Sequence, residues 1–93
     1  MTVAIVELDI YVAGTTERTA DAIRNLTEIC DDLYGGSYDI HVIDVLEDPD
    51  AAERQRIIAT PTVLRRVPLP TRRVVGDLSD TDVVLRHLDL VAG

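Results

Sequence analysis

Pro61 interrupts an apolar run, IIATPTVL at residues 57–64, and so restricts the structures that this segment can adopt. Proline has no backbone N–H to donate to a sheet and is therefore excluded from the middle of a central strand. The run predicts a strand entrance at Pro61, and a cis Thr60–Pro61 bond would suit such an entrance.

The first half of the chain predicts a strand, a long helix and a second strand. Apolar and polar residues alternate over residues 6–12, which indicates a strand with one buried face. An apolar stripe at helical spacing then predicts a helix over residues 16–33, ended by the glycines at 35–36. The second strand, over residues 38–45, has apolar residues on both faces and is predicted to lie inside the sheet.

The second half predicts a short helix, two strands and a final helix. Asp48 as N-cap and Pro49 in the first turn begin the short, mostly charged helix, which runs through Arg56. The sequence VPLP at residues 67–70 predicts a turn that leads into a fourth strand over residues 71–75.

The last helix is predicted to begin at a capping box formed by Ser79 and Asp82. Its apolar stripe comprises Val84, Leu85, Leu88 and Val91. The complete order is β-α-β-α-β-β-α, which is the thioredoxin arrangement. A chain of 93 residues has the length of one domain, so we expect a single α/β domain over residues 1–93.

The charge of the chain restricts its partners. The formal net charge is −8, and all 9 basic residues are arginines. Such a surface repels nucleic acids and anionic membranes, because binding to either requires clusters of Lys and Arg. Two interpretations of the acidity stay open. One is adaptation of a whole proteome, for example to a salty cytoplasm, and the other is an acidic face matched to a basic partner.

The cysteine content and the N-terminus indicate where the protein works. Cys30 is the only cysteine, so no intramolecular disulfide can form, which fits a reducing, cytoplasmic setting. The N-terminal segment lacks the basic region of a signal peptide, and no apolar run approaches the ~20 residues that span a bilayer. We therefore expect a soluble cytoplasmic protein.

The sequence predicts no catalytic site, metal or cofactor. Thioredoxin-fold enzymes carry Cys-x-x-Cys after the first strand, where this chain has AGTTER at residues 13–18. Cys30 lies in the apolar stripe of the first helix and is predicted to be buried. Neither His41 nor His87 has a further Cys or His at metal-ligand spacing. Three carboxylates are interpreted as turn and cap residues, with a cation site as the alternative: Asp44, Asp48 and Asp77.

The arginines form local positive islands in this acidic chain. Arg54 and Arg56 lie on the short helix, residues 65–66 on the third strand and residues 72–73 on the fourth. In one interpretation they lie over the sheet and pair with aspartates. In the other, some of them bind carboxylates of a protein partner, since a guanidinium group binds a carboxylate through two hydrogen bonds.

Four stretches together resemble the KaiB family of circadian-clock proteins. Their order and spacing match the family, and the likeness covers about residues 8–91. The segment around Pro61 is common among thioredoxin folds, whereas the segment that includes the Arg72-Arg73 pair is specific to the family. The stretches are LDIYVAGTT at 8–16, HVIDVLEDP at 41–49, IIATPTV at 57–63 and LPTRRVVGDLSD at 69–80.

The resemblance implies a regulatory binding protein without enzymatic activity. Members of the family bind the ring-shaped ATPase KaiC, and cyanobacterial members also recruit KaiA and compete with sensor kinases. The family also switches folds: a tetrameric ground state has a different C-terminal half, whereas the monomer that binds KaiC is thioredoxin-like. The resemblance thus implies a KaiC-like partner and self-association as a dimer or tetramer.

Two other functions stay open. One is a stand-alone sensory domain like that of a KaiC-binding sensor kinase, which shares this fold without switching, although a chain that ends at Gly93 carries no kinase. The other is a cysteine-less redox relative that acts as an enzyme or chaperone, for which we expect insulin-reduction assays to be negative.

The resemblance assigns partner-binding roles to the arginines of the short helix and the fourth strand. Arg56 occupies a position where the family commonly has a basic residue that faces KaiC, and Arg54 is a second candidate. Arg72 and Arg73 match the basic pair that precedes Gly-Asp-Leu in the family.

The second strand carries the residues that the family uses toward KaiA, here Tyr38, Ile40 and His41. Two positions depart from the cyanobacterial pattern. Asp21 replaces a basic residue on the first helix, and His41 replaces a lysine. Both changes reduce the positive charge of this surface, so a KaiA-type partner is not expected.

The fold-switch region implied by the resemblance runs from about Asp48 to the end of the chain. It includes Pro61, Gly76, Asp77, His87 and Asp89. Cyanobacterial members often have glycine at the position of His87. Because glycine inside a helix is destabilising relative to other residues, we hypothesise that this chain populates the thioredoxin-like form more than those members do.

Overall fold

The computed structural model describes residues 5–91, which form a 4-stranded sheet with helices on both sides. The elements are β1 (Val6–Val12), α1 (Glu17–Tyr34), β2 (Tyr38–Asp44), α2 (Pro49–Arg54), β3 (Thr62–Val67), β4 (Arg72–Val75) and α3 (Thr81–His87), in the predicted order. The strands lie in the order β2-β1-β3-β4, with β2 parallel to β1 and β3 antiparallel to both of its neighbours.

Helix α1 has the start, the end and the buried stripe that the sequence predicts. The Thr16 hydroxyl caps the helix by accepting the Thr19 backbone N–H at 3.1 Å. Gly35 ends it with a φ of 58°, a left-handed conformation that glycine adopts at little cost. The buried residues of the stripe are Ala22, Leu26, Ile29 and Cys30.

The main core lies between one face of the sheet and the helices α1 and α3. Alternate residues of β1 point to this face and are fully or nearly fully buried: Val6, Leu8, Ile10 and Val12. Val63 and Val74 of the other two antiparallel strands join them, together with Val84 and Leu88 from the C-terminal helix region. The buried residues of this cluster are aliphatic apart from Cys30, as a chain without Phe or Trp requires.

Strand β2 lies at an edge of the sheet, so the predicted interior position is wrong. Within residues 5–91 it pairs with β1 alone. One face of β2 is partly covered, since Tyr38 and Ile40 pack against the main core, but Val42 is 51% exposed on that same face. The apolar residues that suggested an interior strand therefore include one that faces solvent, and Val45 lies beyond the strand, bonded to the Val12 carbonyl at 2.8 Å.

The strand entrance at Pro61 is confirmed. The Thr60–Pro61 bond is cis, and β3 begins at the next residue, Thr62. The Pro61 carbonyl accepts the Gly76 N–H at 2.9 Å and so joins this entrance to the end of β4.

Helix α2 begins as predicted but ends earlier. The Asp48 carboxylate caps it by accepting the Ala51 N–H at 3.1 Å, and Pro49 lies in the first turn. The last helical residue is Arg54, whereas the prediction ran through Arg56. Arg56 has a φ of 54°, which is outside the right-handed helical region and cannot continue the helix.

Helix α3 begins one residue later than the predicted capping box requires. Asp80, not Ser79, is the N-cap, and its carboxylate accepts the Val83 N–H at 3.3 Å. The Ser79 N–H instead donates to the Asp77 carboxylate at 3.0 Å, which holds Ser79 in the preceding turn. The helix ends at His87, so Val91 lies outside the stripe to which it was assigned.

The segment that follows α3 is fixed by a buried arginine. Arg65 is 3% exposed, and its guanidinium group donates to the carbonyls of Leu88 at 2.9 Å, Asp89 at 2.9 Å and Pro70 at 2.7 Å. The cation thereby satisfies carbonyls that the end of a helix leaves without partners. Arg65 does not lie on the exposed surface of the sheet, because its side chain enters the core side of the fold, where one terminal nitrogen lies 4.0 Å from the Asp89 carboxylate.

Candidate protein-binding surface

The second face of the sheet is only partly covered. Helix α2 is the one helix of the described residues that packs on this face, and it contains only 6 residues. Beneath it lies a small buried cluster of Tyr11, Ala51 and Leu64. We call this side of the sheet the α2 face; its central residues are buried, and its exposed residues lie on the edge strands β2 and β4.

Three of the four predicted arginines lie on the α2 face. Arg73 donates from one nitrogen to the Gln55 carbonyl at 2.8 Å and from another to the Arg56 carbonyl at 3.4 Å, which ties β4 to the end of α2. Arg54, Arg56 and Arg73 are all exposed. The Arg73 guanidinium group therefore lies at the C-terminal end of α2, where helix-end carbonyls favour cations; Arg54 is the last residue of that helix, and Arg56 lies in the segment after it.

Arg72 is separated from that group. Successive side chains of a strand point to opposite faces, so Arg72 points away from the α2 face that its neighbour Arg73 occupies. It is exposed and lies opposite Arg65 in the register of β3 and β4. The sequence alone does not show which of the two adjacent arginines faces α2, because this depends on how β4 lies in the sheet.

The pKa of the Tyr11 phenol depends on burial and on the charged groups near the α2 face. Burial raises the pKa of its phenol, and the nearby Asp9 carboxylate raises it further. Arg66, Arg54 and Arg73 act in the opposite direction and lower the pKa. The positive charges around α2 therefore lie close enough to act on one buried hydroxyl group.

Two exposed apolar side chains flank α2 and were missed by the sequence analysis. Leu46, on the loop that enters the helix, is 71% exposed, and Ile58, on the loop that leaves it, is 96% exposed. Ile58 belongs to the apolar run before Pro61, and the run itself does not distinguish it from Ile57, which packs against the small cluster. We call the five residues Leu46, Arg54, Arg56, Ile58 and Arg73 the α2 patch.

Acidic groups occupy the part of the α2 face that the helix leaves open. Asp9 is buried to 7% exposure, and its carboxylate pairs with the Arg66 Nε at 2.7 Å. Arg66 also lies 3.9 Å from the Glu7 carboxylate. The interpretation that an arginine lies over the sheet and pairs with aspartate is thus confirmed for Arg66.

The predicted partner-binding residues of β2 do not share one surface. Tyr38 and Ile40 are half-buried on the core side, whereas His41 is exposed on the α2 face. The Tyr38 hydroxyl donates to the Asp31 carboxylate. This hydrogen bond, together with burial, raises the pKa of Tyr38 to about 12, so the phenol stays protonated.

The junction before α3 contains three of the named switch residues: Pro61, Gly76 and Asp77. Pro61 is buried, and Gly76, which bonds to it, has a φ of 128° that a residue with a side chain rarely adopts. The Asp77 carbonyl accepts the Asn25 side-chain amide at 3.1 Å, which links the junction to α1. Hydrogen bonds from Ser79 lower the pKa of Asp77.

The remaining switch residues lie at the end of α3. His87 is the last helical residue and is exposed. Asp89 has a φ of 50°, and its carbonyl is one of the groups held by Arg65. The C-terminal segment therefore depends on a single buried cation for part of its attachment.

The carboxylates that the sequence analysis interpreted as turn and cap groups have those roles. Asp44 accepts the backbone N–H groups of Gly14 at 3.0 Å and Leu46 at 2.9 Å. Asp48 caps α2, and Asp77 bonds the turn before α3. The hydrogen bonds of Asp44 and Asp48 order the loop that leads into α2.

Cys30 has none of the properties of a redox thiol. It is fully buried within α1, as predicted, and burial raises the pKa of the thiol to about 12. A reactive cysteine needs a lowered pKa and access to solvent.

Across residues 5–91, no helix is long and apolar enough to cross a membrane.

Comparisons with known proteins identify the family. The sequence profile of the KaiB domain matches residues 9–90. The chain is 46% identical over 86 residues to the circadian clock oscillator protein KaiB of Synechococcus elongatus, covering 92% of this chain and 84% of that protein. It is 42% identical over 84 residues to the circadian clock protein KaiB3 of a Synechocystis strain, covering 90% of this chain and 82% of that protein.

Solved structures agree with the fold. The N-terminal domain of SasA from Synechococcus elongatus superposes with a TM-score of 0.76 at 20% identity, covering 100% of this chain and 91% of that domain. Mitochondrial thioredoxin 3 of Saccharomyces cerevisiae gives a TM-score of 0.71 at 18% identity, covering 94% of this chain and 80% of that protein. The fold is thioredoxin-like, and the chain belongs to the KaiB family.

Proposed function

We propose that this protein is a non-enzymatic regulator that binds a KaiC-like ring ATPase through the α2 patch. The observation that supports this most directly is the patch itself. Exposed apolar side chains stand on the loops before and after a short helix, and exposed arginines lie at its end, on a molecule whose net charge is −8. Exposed apolar patches mark interaction sites, and arginine is enriched among the residues that contribute most to the binding energy of protein interfaces.

The charges of the patch favour an acidic surface on the partner. Arg54 and Arg56 are exposed, and their guanidinium groups are free to form paired hydrogen bonds with carboxylates. Elsewhere the acidic surface would repel such a partner, which fixes the orientation of docking. Ile58 would supply the apolar centre of the contact.

The thioredoxin-like form is the one in which the α2 patch is assembled. Arg73 of β4 holds the end of α2, so the patch requires both elements in their present places. We propose that this form is the binding form and that a second packing from about Asp48 onward remains accessible. Two packings of one sequence need differ by only a few kcal/mol to interconvert.

A stand-alone sensory or interaction domain is the second candidate. The likeness of the fold to the SasA N-terminal domain favours it. Such a domain would use the same surface without changing fold. We expect cytoplasmic localisation under both functions, and we expect no KaiA-type partner, since Asp21 and His41 replace basic residues of the cyanobacterial pattern.

Size-exclusion chromatography with the KaiC homologue from the same genome tests the proposal, with and without ATP and at low and high salt. We expect comigration, and we expect Ile58→Ser and Arg56→Ala to abolish it. The matched controls are Leu69→Ser, which changes an 80% exposed residue in the β3–β4 turn, and Arg86→Ala on α3. Neither control should affect comigration.

Two results would contradict the proposal. Absence of a complex under every nucleotide and salt condition would remove the KaiC-like partner and favour the sensory domain. Loss of the complex in Leu69→Ser and Arg86→Ala, with Ile58→Ser and Arg56→Ala unaffected, would place the interface away from α2.

A further inference from the structure

Glu7, Asp39 and His41 form a cluster on the open part of the α2 face. Glu7 lies directly opposite Asp39 in the parallel register of β1 and β2, and His41 lies two residues further along β2 on the same face. One donor atom of each side chain lies within 4.8 Å of the others. We call these three residues the Glu7 cluster.

The donors of the Glu7 cluster suit a divalent transition metal ion. One imidazole nitrogen and two carboxylate oxygens form a mixed set of the kind that binds Zn²⁺, with remaining positions open to water. Ions such as Mg²⁺ and Ca²⁺ prefer oxygen ligands alone. The histidine therefore distinguishes this cluster from the exposed acidic groups found over the rest of the surface.

The sheet holds the three ligands near the required geometry. Ligands bound to one Zn²⁺ lie about 2 Å from it, so their donor atoms lie roughly 3–3.5 Å from each other. Asp39 and His41 are exposed, so their side chains can rotate through the remaining distance. Their backbones are fixed by pairing along β1, which reduces the entropy lost on binding.

The Arg66 side chain leaves Glu7 available. Arg66 lies 3.9 Å from Glu7 but bonds to Asp9 at 2.7 Å, so its charge keeps a partner when Glu7 turns toward an ion. The sequence predicts no metal site, because neither histidine has a further Cys or His at the required spacing along the chain. The parallel register of β1 and β2 supplies carboxylate ligands from two strands instead.

We propose that Glu7, Asp39 and His41 bind a divalent transition metal ion, with Zn²⁺ as the best match to the donor set. The site is independent of the proposed function, because it lies outside the α2 patch and is tested on the isolated chain. A bound cation would also neutralise part of the acidic charge on the open side of the sheet.

Isothermal titration calorimetry with Zn²⁺, on tag-free protein in a buffer that does not chelate metals, tests the site. We expect saturable binding of about one ion per chain, and visible absorption bands when Co²⁺ is used as the probe. His41→Ala should weaken the affinity by about tenfold or more, since loss of a ligand exceeds the effect of losing an outer-shell partner. His87→Ala is the matched control, because it removes the other exposed histidine, and it should leave the affinity unchanged.

Asp39→Asn and Glu7→Gln should each weaken Zn²⁺ binding as well, with circular dichroism to show that the variants fold. Either variant tests the cluster if His41→Ala fails to fold. Three results would overturn the proposal: no saturable binding by the parent chain, equal losses in His87→Ala and His41→Ala, or unchanged affinity in both carboxylate variants.

Discussion

Arg65 brings a permanent positive charge into the protein beside the end of α3. Three backbone carbonyls accept from its two terminal nitrogens, and its Nε has no hydrogen-bond partner among residues 5–91. The Asp89 carboxylate lies 4.0 Å away and is largely exposed. The cation is thus stabilised mainly by backbone oxygen atoms, and those atoms depend on it in turn.

Replacement of Arg65 by methionine should destabilise the protein by about 2–4 kcal/mol, because buried carbonyls would lose charged donors while the side chain keeps much of its volume. Urea unfolding followed by circular dichroism measures the change. Arg72→Met is the control, since Arg72 is exposed on the neighbouring strand, and it should change the free energy of unfolding by less than about 0.5 kcal/mol. Equal effects of the two substitutions would show that Arg65 has no special role.

Cys30 should make the protein less stable at alkaline pH. An unperturbed cysteine thiol has a pKa of 9.0, and burial raises the pKa of Cys30 in the folded chain to about 12. Between these values the unfolded state loses its proton first, so the free energy of unfolding falls as the pH rises above 9. Below that range the contribution of Cys30 is fully present.

Urea unfolding at about pH 8 and about pH 10.5 tests this effect. The parent chain should lose more stability between the two values than Cys30→Ala does. The constant cost of the smaller side chain cancels, because the comparison is between the two slopes. Parallel losses in the two proteins would assign the alkaline effect to other groups, such as Tyr38.

The face of the sheet that each arginine side chain occupies could not be predicted from the sequence. Arg65 and Arg66 are adjacent and chemically identical, yet one is buried against carbonyls and the other lies over the sheet beside Asp9. Strand alternation separates them, but which face receives α3 is a long-range property. Arg72 and Arg73 are divided in the same way.

At the scale of elements, local signals predicted most of the fold. Thr16, Asp48 and Pro61 each mark the start of an element through their own hydrogen-bonding chemistry, and each is found in that role. The place of β2 was mispredicted because position in a sheet depends on pairing with distant segments. Val42 is exposed, but the sequence around it does not distinguish it from a valine that is buried in a strand.

The end of α3 determines how firmly the thioredoxin-like form is held. His87→Gly should weaken that form by a few tenths of a kcal/mol, because glycine loses more conformational freedom in a helix than histidine does. If a second fold is accessible, the variant should show a second set of peaks in ¹H–¹⁵N NMR spectra or a larger species in light scattering. His87→Ala keeps helical propensity and should show neither.

The same pair of variants separates the two proposed functions. A regulator that switches folds should respond to glycine at position 87, whereas a sensory domain with a single fold should lose stability without a new species. Identical spectra for His87→Gly and His87→Ala would therefore contradict the fold-switching proposal while leaving the α2 patch intact.

At the scale of the whole molecule, acidic charge surrounds a few arginine-rich places. The 17 acidic and 9 basic residues are unevenly arranged, since Arg54 and Arg56 lie at the end of α2, where Arg73 of β4 is hydrogen-bonded to the backbone. The last turn of α1 carries acidic residues and no basic one, which is unfavourable at a helix C-terminus. The compact state therefore contains repulsion that the unfolded chain partly relieves.

Salt should stabilise this protein by screening that repulsion. The Debye length falls from about 10 Å at 0.1 M salt to about 3 Å at 1 M, so the midpoint temperature of unfolding should rise by several degrees over this range. Glu28→Gln combined with Asp32→Asn removes two exposed charges from α1 and should raise the midpoint at low salt while reducing the response to KCl. Differential scanning calorimetry measures both effects.

The size of this response distinguishes the two interpretations of the acidic surface. A surface adapted to a salty cytoplasm should gain stability steadily with KCl, and its complexes should persist at high salt because apolar contacts such as that of Ile58 are not screened. A flat response in both the parent chain and the double variant would show that the charges are too far apart to repel one another. The acidity would then be better explained by a basic partner, whose binding should weaken as salt is added.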